Sequence, residues 1–316
     1  MDVEDLSKLK KHEKLWFEDG NIVLATDVHL YCVHRGVLAW NSTVFKDMLE
    51  LPSVGITSNS AADGIVIGDS WEGKPLVRMV GDRDEDVYHI LMALYDIRFY
   101  SAHKPTTLPV FLSLIRMGTK YNFSYILDEI SVHTKCAYPT DLHSMGDRSF
   151  RDLLIEYKDE DDLLLLAVAE QCDMKIILPL LYFDCAASPL ENILKASKEL
   201  NLRDSSFLKI IRGHEQVSSY SKQLGVVLFL PHQKCTPSCQ TARMSLLAKY
   251  LKDPPNYPVH EILMGDELND EEDLRASICD DCSEKSSEGV EAFRLEVWNS
   301  IPGMFELGTW DDYKRE

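Results

Sequence analysis

The chain has 316 residues, enough for two or three domains of roughly 100 to 200 residues, and its 45% hydrophobic and 27% charged content is that of a folded protein rather than a disordered one. Its 52 acidic and 33 basic side chains give a net charge of -19 with no block of Lys or Arg, a field that repels phosphate and argues against nucleic-acid or anionic-membrane binding. MDVEDLSKLKKHEKLWFEDG at the N-terminus lacks the apolar core of a secretory signal, and no apolar run approaches the roughly 20 residues of a membrane span, so a cytoplasmic or nuclear protein is expected, its eight cysteines serving as thiols or metal ligands.

Asn21–Ala25 (NIVLA) and His29–His34 (HLYCVH) are short β-prone runs separated by Thr26-Asp27-Val28, which predicts a hairpin. Gly36–Trp40 reads as a turn of helix, after which Asn41 or Ser42 caps a helix carrying Val44, Phe45, Met48 and Leu49 on one face, with Pro52 as its stop. Leu51–Pro75 is rich in Ser, Gly, Asn and Asp and is expected to be a long surface loop holding at most a brief strand at Ile65–Ile67. Leu76–Val80 is the next strand, and Asp82, Asp84, Glu85 and Asp86 then stand where a helix N-terminus favours negative charge.

Val87, Ile90, Leu91, Leu94 and Tyr95 mark that helix, Leu108, Phe111, Leu112 and Ile115 mark the next, and Ser124–Lys135 a third. Tyr138-Pro139-Thr140 and Gly146 close the first domain. Beyond it Asp159–Asp162 leads LLLLAVAEQC into a helix with its acids at the positive end of the dipole, and further helices are expected over Leu190–Leu200 and Ser205–Leu224. From about His232 the character changes to paired cysteines, the loop KDPPNYP and the acidic GDELNDEEDLR, an irregular small unit in expectation. Phe293, Val297 and Trp298 then share a helical face, and Ile301, Phe305, Leu307 and Trp310 surround a Pro-Gly break, a set that must dock on a core.

The stretch HRGVLAWNSTVFKDML resembles the BTB/POZ family, whose pattern is a basic dipeptide after a strand, a Val-Leu-Ala turn, and a Ser before a Val-Phe helix. Here those elements are His34-Arg35, Val37-Leu38-Ala39, Ser42 and Val44-Phe45, with Met48-Leu49 closing the helix; FEDGNIVL upstream is similar to the family's first strand. Downstream, DEDVYHILMALYD and TLPVFLSLIRMGTKYNF keep the family's order, so the resemblance covers roughly residues 10 to 140. The whole chain, through the ending EVWNSIPGMFELGTW, is similar to fungal BTB proteins with a helical middle and a cysteine-containing tail.

The resemblance implies an α+β fold: a BTB/POZ-type domain of short strands plus a helical cluster over 10–140, an α-helical region over 141–230 and a small cysteine-containing region over 231–316. It implies a protein-protein interaction module, an adaptor or scaffold that oligomerises with itself or links a substrate to a cullin ubiquitin ligase. Many family members carry Asp in the first strand facing the basic residue in a charged groove; Asn21 stands there in this chain, opposite Arg35, so the groove is altered. The segment before Trp16 is too short for the exchanged N-terminal strand of some dimeric members.

Chemistry has few other carriers. No G-x-S-x-G elbow, P-loop, H-E-x-x-H or dinucleotide fingerprint occurs, which leaves an enzyme reading without a motif. His34 belongs to the packing framework, the acids at Asp159–Asp162 and Asp270–Asp273 lack the spaced oxygen ligands of a calcium loop and read as solvated helix starts, and Cys32, Cys136, Cys172 and Cys185 sit in apolar or helical stretches. Cys235 and Cys239 (C-x3-C) with Cys279 and Cys282 (C-x2-C), flanked by polar and turn residues that suggest loops, have spacing suited to a structural zinc ion, with His232 or His260 as substitutes for one cysteine. Free thiols are the alternative. A metal-dependent sensor or enzyme built on these C-terminal regions is the rival to the adaptor.

Overall fold

The computed structural model describes residues 8–50, 65–146, 154–158, 161–200, 202–232, 235–254, 258–265 and 278–313. Among them the fold is mixed α and β, the class expected from the sequence. Where composition suggested breaks near 140 and 230, the contacts draw one division, between Met1–His133 with Asp152–Glu156 and Thr134–Arg151 with Tyr157–Glu316. The tail is not a separate unit because its helices share their core with the helices before it.

In the first unit, β1 (Lys10–Trp16), β2 (Ile22–Ala25), β3 (His29–Val33), β4 (Ile65–Trp71) and β5 (Lys74–Met79) form one sheet in the order β1-β3-β2-β5-β4. The hairpin of β2 and β3 is antiparallel, and β2 runs parallel to β5 on its other side. As an interior strand β2 buries all four of its residues, which is why it reads as an uninterrupted IVLA rather than an alternation. The register Val23↔Cys32 and Val23↔Leu76 puts these three on one face, where with Ala25 and Leu30 they form a cluster flanked by Leu9, Trp16 and Trp71. Gly20 is required beside it, since a Cβ there would lie 2.7 Å from Cys32 Sγ.

The surface loop expected over 51–75 is shorter than expected. Ile65–Trp71 is a strand paired antiparallel with β5 through a turn at Glu72-Gly73, both at positive φ, and residues 51–64 lie outside the described residues. β1, parallel to β3, is also a strand that the charge-rich KKHEKLW did not announce.

The helices of this unit are α1 (Arg35–Asn41), α2 (Thr43–Glu50), α3 (Asp84–Tyr95), α4 (Leu108–Tyr121) and α5 (Ser124–Ala137), the last running across the division. Ser42 caps α2 by accepting the Phe45 N–H at 3.0 Å, and its hydroxyl also donates to the Tyr121 carbonyl, so one side chain starts a helix and ties it to α4. Phe45 is buried with its ring 5.0 Å from Tyr121 and 6.0 Å from Phe123. Two short strands, β6 (Thr106–Thr107) and β7 (Leu154–Ile155), pair in parallel.

The second unit holds α6 (Asp161–Gln171), α7 (Leu178–Ala187), α8 (Leu190–Glu199), α9 (Asp204–Phe229), α10 (Pro237–Lys252), α11 (Pro258–Met264) and α12 (Asp280–Met304). Asp162 is not the solvated acid expected at the start of α6: it is buried and accepts the Tyr157 hydroxyl. Asp270–Asp273 lies outside the described residues. The long helix α9 packs against α7, α10, α11 and α12, and two glycines let it do so closely. A Cβ at Gly213 would stand 2.3 Å from the Phe305 ring and one at Gly225 would stand 2.4 Å from the Tyr250 ring.

The apolar set expected to dock does so: Phe293, Val297, Trp298, Ile301, Phe305 and Trp310 are buried, while Leu307 is only partly so. Trp310 stacks on Trp298 at 4.4 Å and donates its Nε1–H to the Trp298 carbonyl at 2.6 Å. Among the described residues no single helix is long and apolar enough to cross a membrane; Lys175–Ala187 and Leu190–Glu199 pass together by length and composition, bent by 119°.

Candidate metal centre

The chain starts two helices with cysteines. In Cys235-Thr236-Pro237-Ser238-Cys239, Thr236 is the N-cap of α10 and accepts the Cys239 N–H, while Pro237 takes the first helical position, where its missing N–H costs nothing. In Cys279-Asp280-Asp281-Cys282, Cys279 is itself the N-cap of α12. Both pairs therefore straddle a helix N-terminus, not a flexible loop as their turn-forming neighbours suggested. One sulfur of each pair, on Cys239 and Cys282, belongs to a buried residue in the first turn; Cys235 and Cys279 are partly buried.

Packing of α9 against α10 and α12 brings these two starts together. The four Sγ atoms of Cys235, Cys239, Cys279 and Cys282 lie within 4.8 Å of one another, and all four are unbridged thiols. A tetrahedral zinc-thiolate centre with bonds of about 2.3 Å has sulfur-sulfur edges of about 3.8 Å, so small side-chain rotations close this cluster onto one ion. His232 and His260, the candidate substitutes, are not members of the cluster. His260 instead lies 3.3 Å from the buried carboxylate of Asp184 on α7, and His232 contributes through its backbone.

The electrostatics suit anionic sulfur. The Cys279 N–H donates to Cys239 Sγ at 3.3 Å. The Cys282 N–H, then the neighbouring thiols of Cys239 and Cys282, and then the Thr236 N–H hold the Cys279 thiol down to about 7. Removal from water, followed by the thiols of Cys239 and Cys282, pushes Cys235 up to about 12, and burial raises Cys282 as well. One member of the group is thus poised as a thiolate, whereas four thiolates need a cation to neutralise them. Two helix N-termini facing the sulfurs add their partial positive charge. Divalent, thiophilic metal binding, with release of the remaining thiol protons, is the chemistry this arrangement offers.

The other expected site residues lie in the first unit. Asn21 and Arg35 are adjacent, but the Asn21 Oδ1 accepts the Arg35 backbone N–H at 2.7 Å and so satisfies the start of α1. The Arg35 guanidinium donates to the Leu49 carbonyl at 2.9 Å, at the negative end of α2. Both residues are exposed. His34 receives its structural role through the Tyr95 hydroxyl, which accepts its backbone N–H at 2.9 Å. Of the remaining cysteines, Cys32 and Cys185 are buried, whereas Cys136 is exposed and Cys172 partly so.

Sequence reasoning missed one residue of the metal region. Arg243, on α10, is fully buried. Nothing in its surroundings, RMSLLAKYL, marks it out; a charged residue at the buried position of a helix becomes visible only once the partners of that helix are known. Comparison with family models, with curated proteins and with solved structures gave no match to the chain.

Proposed function

We propose that the protein is an interaction adaptor or scaffold whose first unit is a BTB/POZ-type domain and whose second unit is organised by a structural zinc ion. The observation that carries the first half is the element order β2-β3-α1-α2-β4-β5-α3-β6-α4-α5: a hairpin, two helices, a second strand pair, and three helices with the two-residue β6 among them. With β4 and β6 set aside, this order agrees with the one the resemblance implies, and the residues that carry the resemblance support the reading by where they lie. His34-Arg35 follows β3 directly, Val37-Leu38-Ala39 lies on α1, Ser42 caps α2, and Phe45 is its core residue. A cullin ubiquitin ligase is the narrower partner within this reading, and self-association the other.

The test uses the full chain. Sedimentation of the purified protein, and titration against purified cullin N-terminal regions, are expected to give a stable self-complex or a submicromolar cullin complex. A strict monomer with no cullin binding, and with turnover of a small-molecule substrate, would overturn the adaptor.

The zinc reading rests on the four clustered sulfurs. Protein purified without added metal is expected to carry about one zinc per chain, and chelator to lower its melting temperature, because the metal joins two helix starts of one core. Well under one zinc, with melting unchanged by chelator, would remove it. A metal-dependent sensor would use the same ligands and is distinguished by rapid exchange of the ion.

A further inference from the structure

Arg243 is buried to 0% exposure, yet no ion pair engages it among the described residues. Its Nη1 donates to Ser286 Oγ at 2.9 Å and to the Cys282 carbonyl at 3.4 Å, and its Nη2 donates to the Leu230 carbonyl at 2.9 Å. Its Nε has no partner. A guanidinium does not lose its proton in proteins, and burying one without a counter-charge is costly. The Leu230 carbonyl, at the end of α9, supplies only the partial negative charge of a helix C-terminus.

Among the described residues, the sulfur cluster at the two helix starts can supply a full counter-charge. Four thiolates around a divalent cation leave a net charge of two minus. Arg243 follows Cys239 by one turn of α10 and bonds the main chain of Cys282 on α12, so it reaches behind both ligand-bearing helix starts. We propose that Arg243 is the counter-cation of this centre: the site takes a divalent thiophilic ion as a tetrathiolate complex, and the buried guanidinium stabilises its excess negative charge. This rests on the metal reading above. It accounts together for a buried cation with no ion pair among the described residues and for four thiols gathered beside it. Arg243 acts through the ligands and is a positioning and charge-balancing residue rather than a ligand.

Cobalt(II) is the probe, because tetrahedral thiolate coordination gives it characteristic charge-transfer and visible bands; zinc competition then gives relative affinities in the full-length protein. Arg243→Met is expected to weaken binding by about 10- to 100-fold, the usual cost of losing an outer partner of a metal ligand. Arg243→Lys, which keeps the charge, should recover most of that loss. In a Cys235→His background the complex carries one negative charge fewer, and the penalty of Arg243→Met should shrink; a role in packing alone predicts the same penalty in both backgrounds. Ser286→Ala removes a hydrogen bond of the guanidinium but not its charge and should change affinity by about threefold or less. If the Met variant does not fold, Arg243→Lys keeps the test: it should bind cobalt within about threefold of wild type in both backgrounds, and a loss of about 10-fold or more by this charge-keeping variant would overturn the assignment.

Equal penalties in the two backgrounds, no recovery by Lys, or a Ser286→Ala loss as large as that of Arg243→Met would each overturn the assignment while leaving the metal in place. Absence of thiolate-to-cobalt bands in the wild-type protein would overturn the metal reading itself and the assignment with it.

Discussion

Replacing Gly213 by Ala adds one methyl group to α9, and the geometry fixes the sign of the result. That carbon would lie 2.3 Å and 2.9 Å from two atoms of the Phe305 ring and 3.1 Å from Ala186 Cβ. Carbon atoms rest at about 3.5 to 4.0 Å, so the first overlap exceeds an ångström. Phe305 cannot swing aside cheaply, because it is fully buried and stacked on Tyr182 at 5.2 Å. Overpacking of this kind costs about 1 to 3 kcal/mol or more, against a gain of about 1 kcal/mol in helix propensity. The net expectation is a loss of stability of up to about 2 kcal/mol. Gly303 in α12 provides the control: a Cβ there meets nothing within 4 Å, so Gly303→Ala should be neutral or slightly stabilising. Urea unfolding of the two variants beside the wild type measures both. A Gly213→Ala protein as stable as Gly303→Ala would refute the close packing of Phe305 on α9.

Phe45→Ala should destabilise the protein by about 3 to 5 kcal/mol, since the ring is buried between Tyr121 and Phe123; a loss below about 1 kcal/mol by the same unfolding assay would contradict that burial. Burial, reinforced by His103, holds His133 at about 4, well below its ordinary 6.5, and burial lowers His89 too. A histidine kept neutral in the fold contributes stability that is complete above about pH 6.5 and is lost as pH falls toward 4. Between pH 7.5 and 5, His133 alone should therefore cost about 2 kcal/mol, read as a lower urea midpoint, and His133→Phe should flatten the dependence. An unchanged wild-type midpoint at pH 5 would contradict it. With a net charge of -19, the chain should show no submicromolar, salt-sensitive binding to duplex DNA by fluorescence anisotropy.

The elements visible in advance were those whose own residues carry the signal. The hairpin was legible because IVLA and HLYCV are apolar and β-branched or aromatic, and α2 because Ser42 stands directly before the Val44, Phe45, Met48 stripe. β1 was hidden, since its pairing with β3 comes from backbone bonds and a single buried residue, Leu15, while its charges protect an edge. β4 was obscured by its glycine and polar residues and by a Glu72-Gly73 turn outside the commonest hairpin dipeptides. The four cysteines were identified from spacing; Cys235 and Cys279 do lie just outside helices, but Cys239 and Cys282 stand in the first turns of α10 and α12 rather than on loops. Thr236-Pro237 had the N-cap and first-position pattern of a helix start, and that signal was present and unused. The burial of Arg243 had no local signal at all, being a product of how α9, α10 and α12 meet.

The window at Gly213 also orders events in time. Phe305, which fills it, is encoded 92 positions later. During synthesis α9 therefore leaves the ribosome long before the ring that its glycine accommodates, and the second unit must wait with an apolar groove open. A message truncated before codon 305 would yield a protein whose second unit lacks the ring that fills this window and is expected to remain a client for chaperones and proteases.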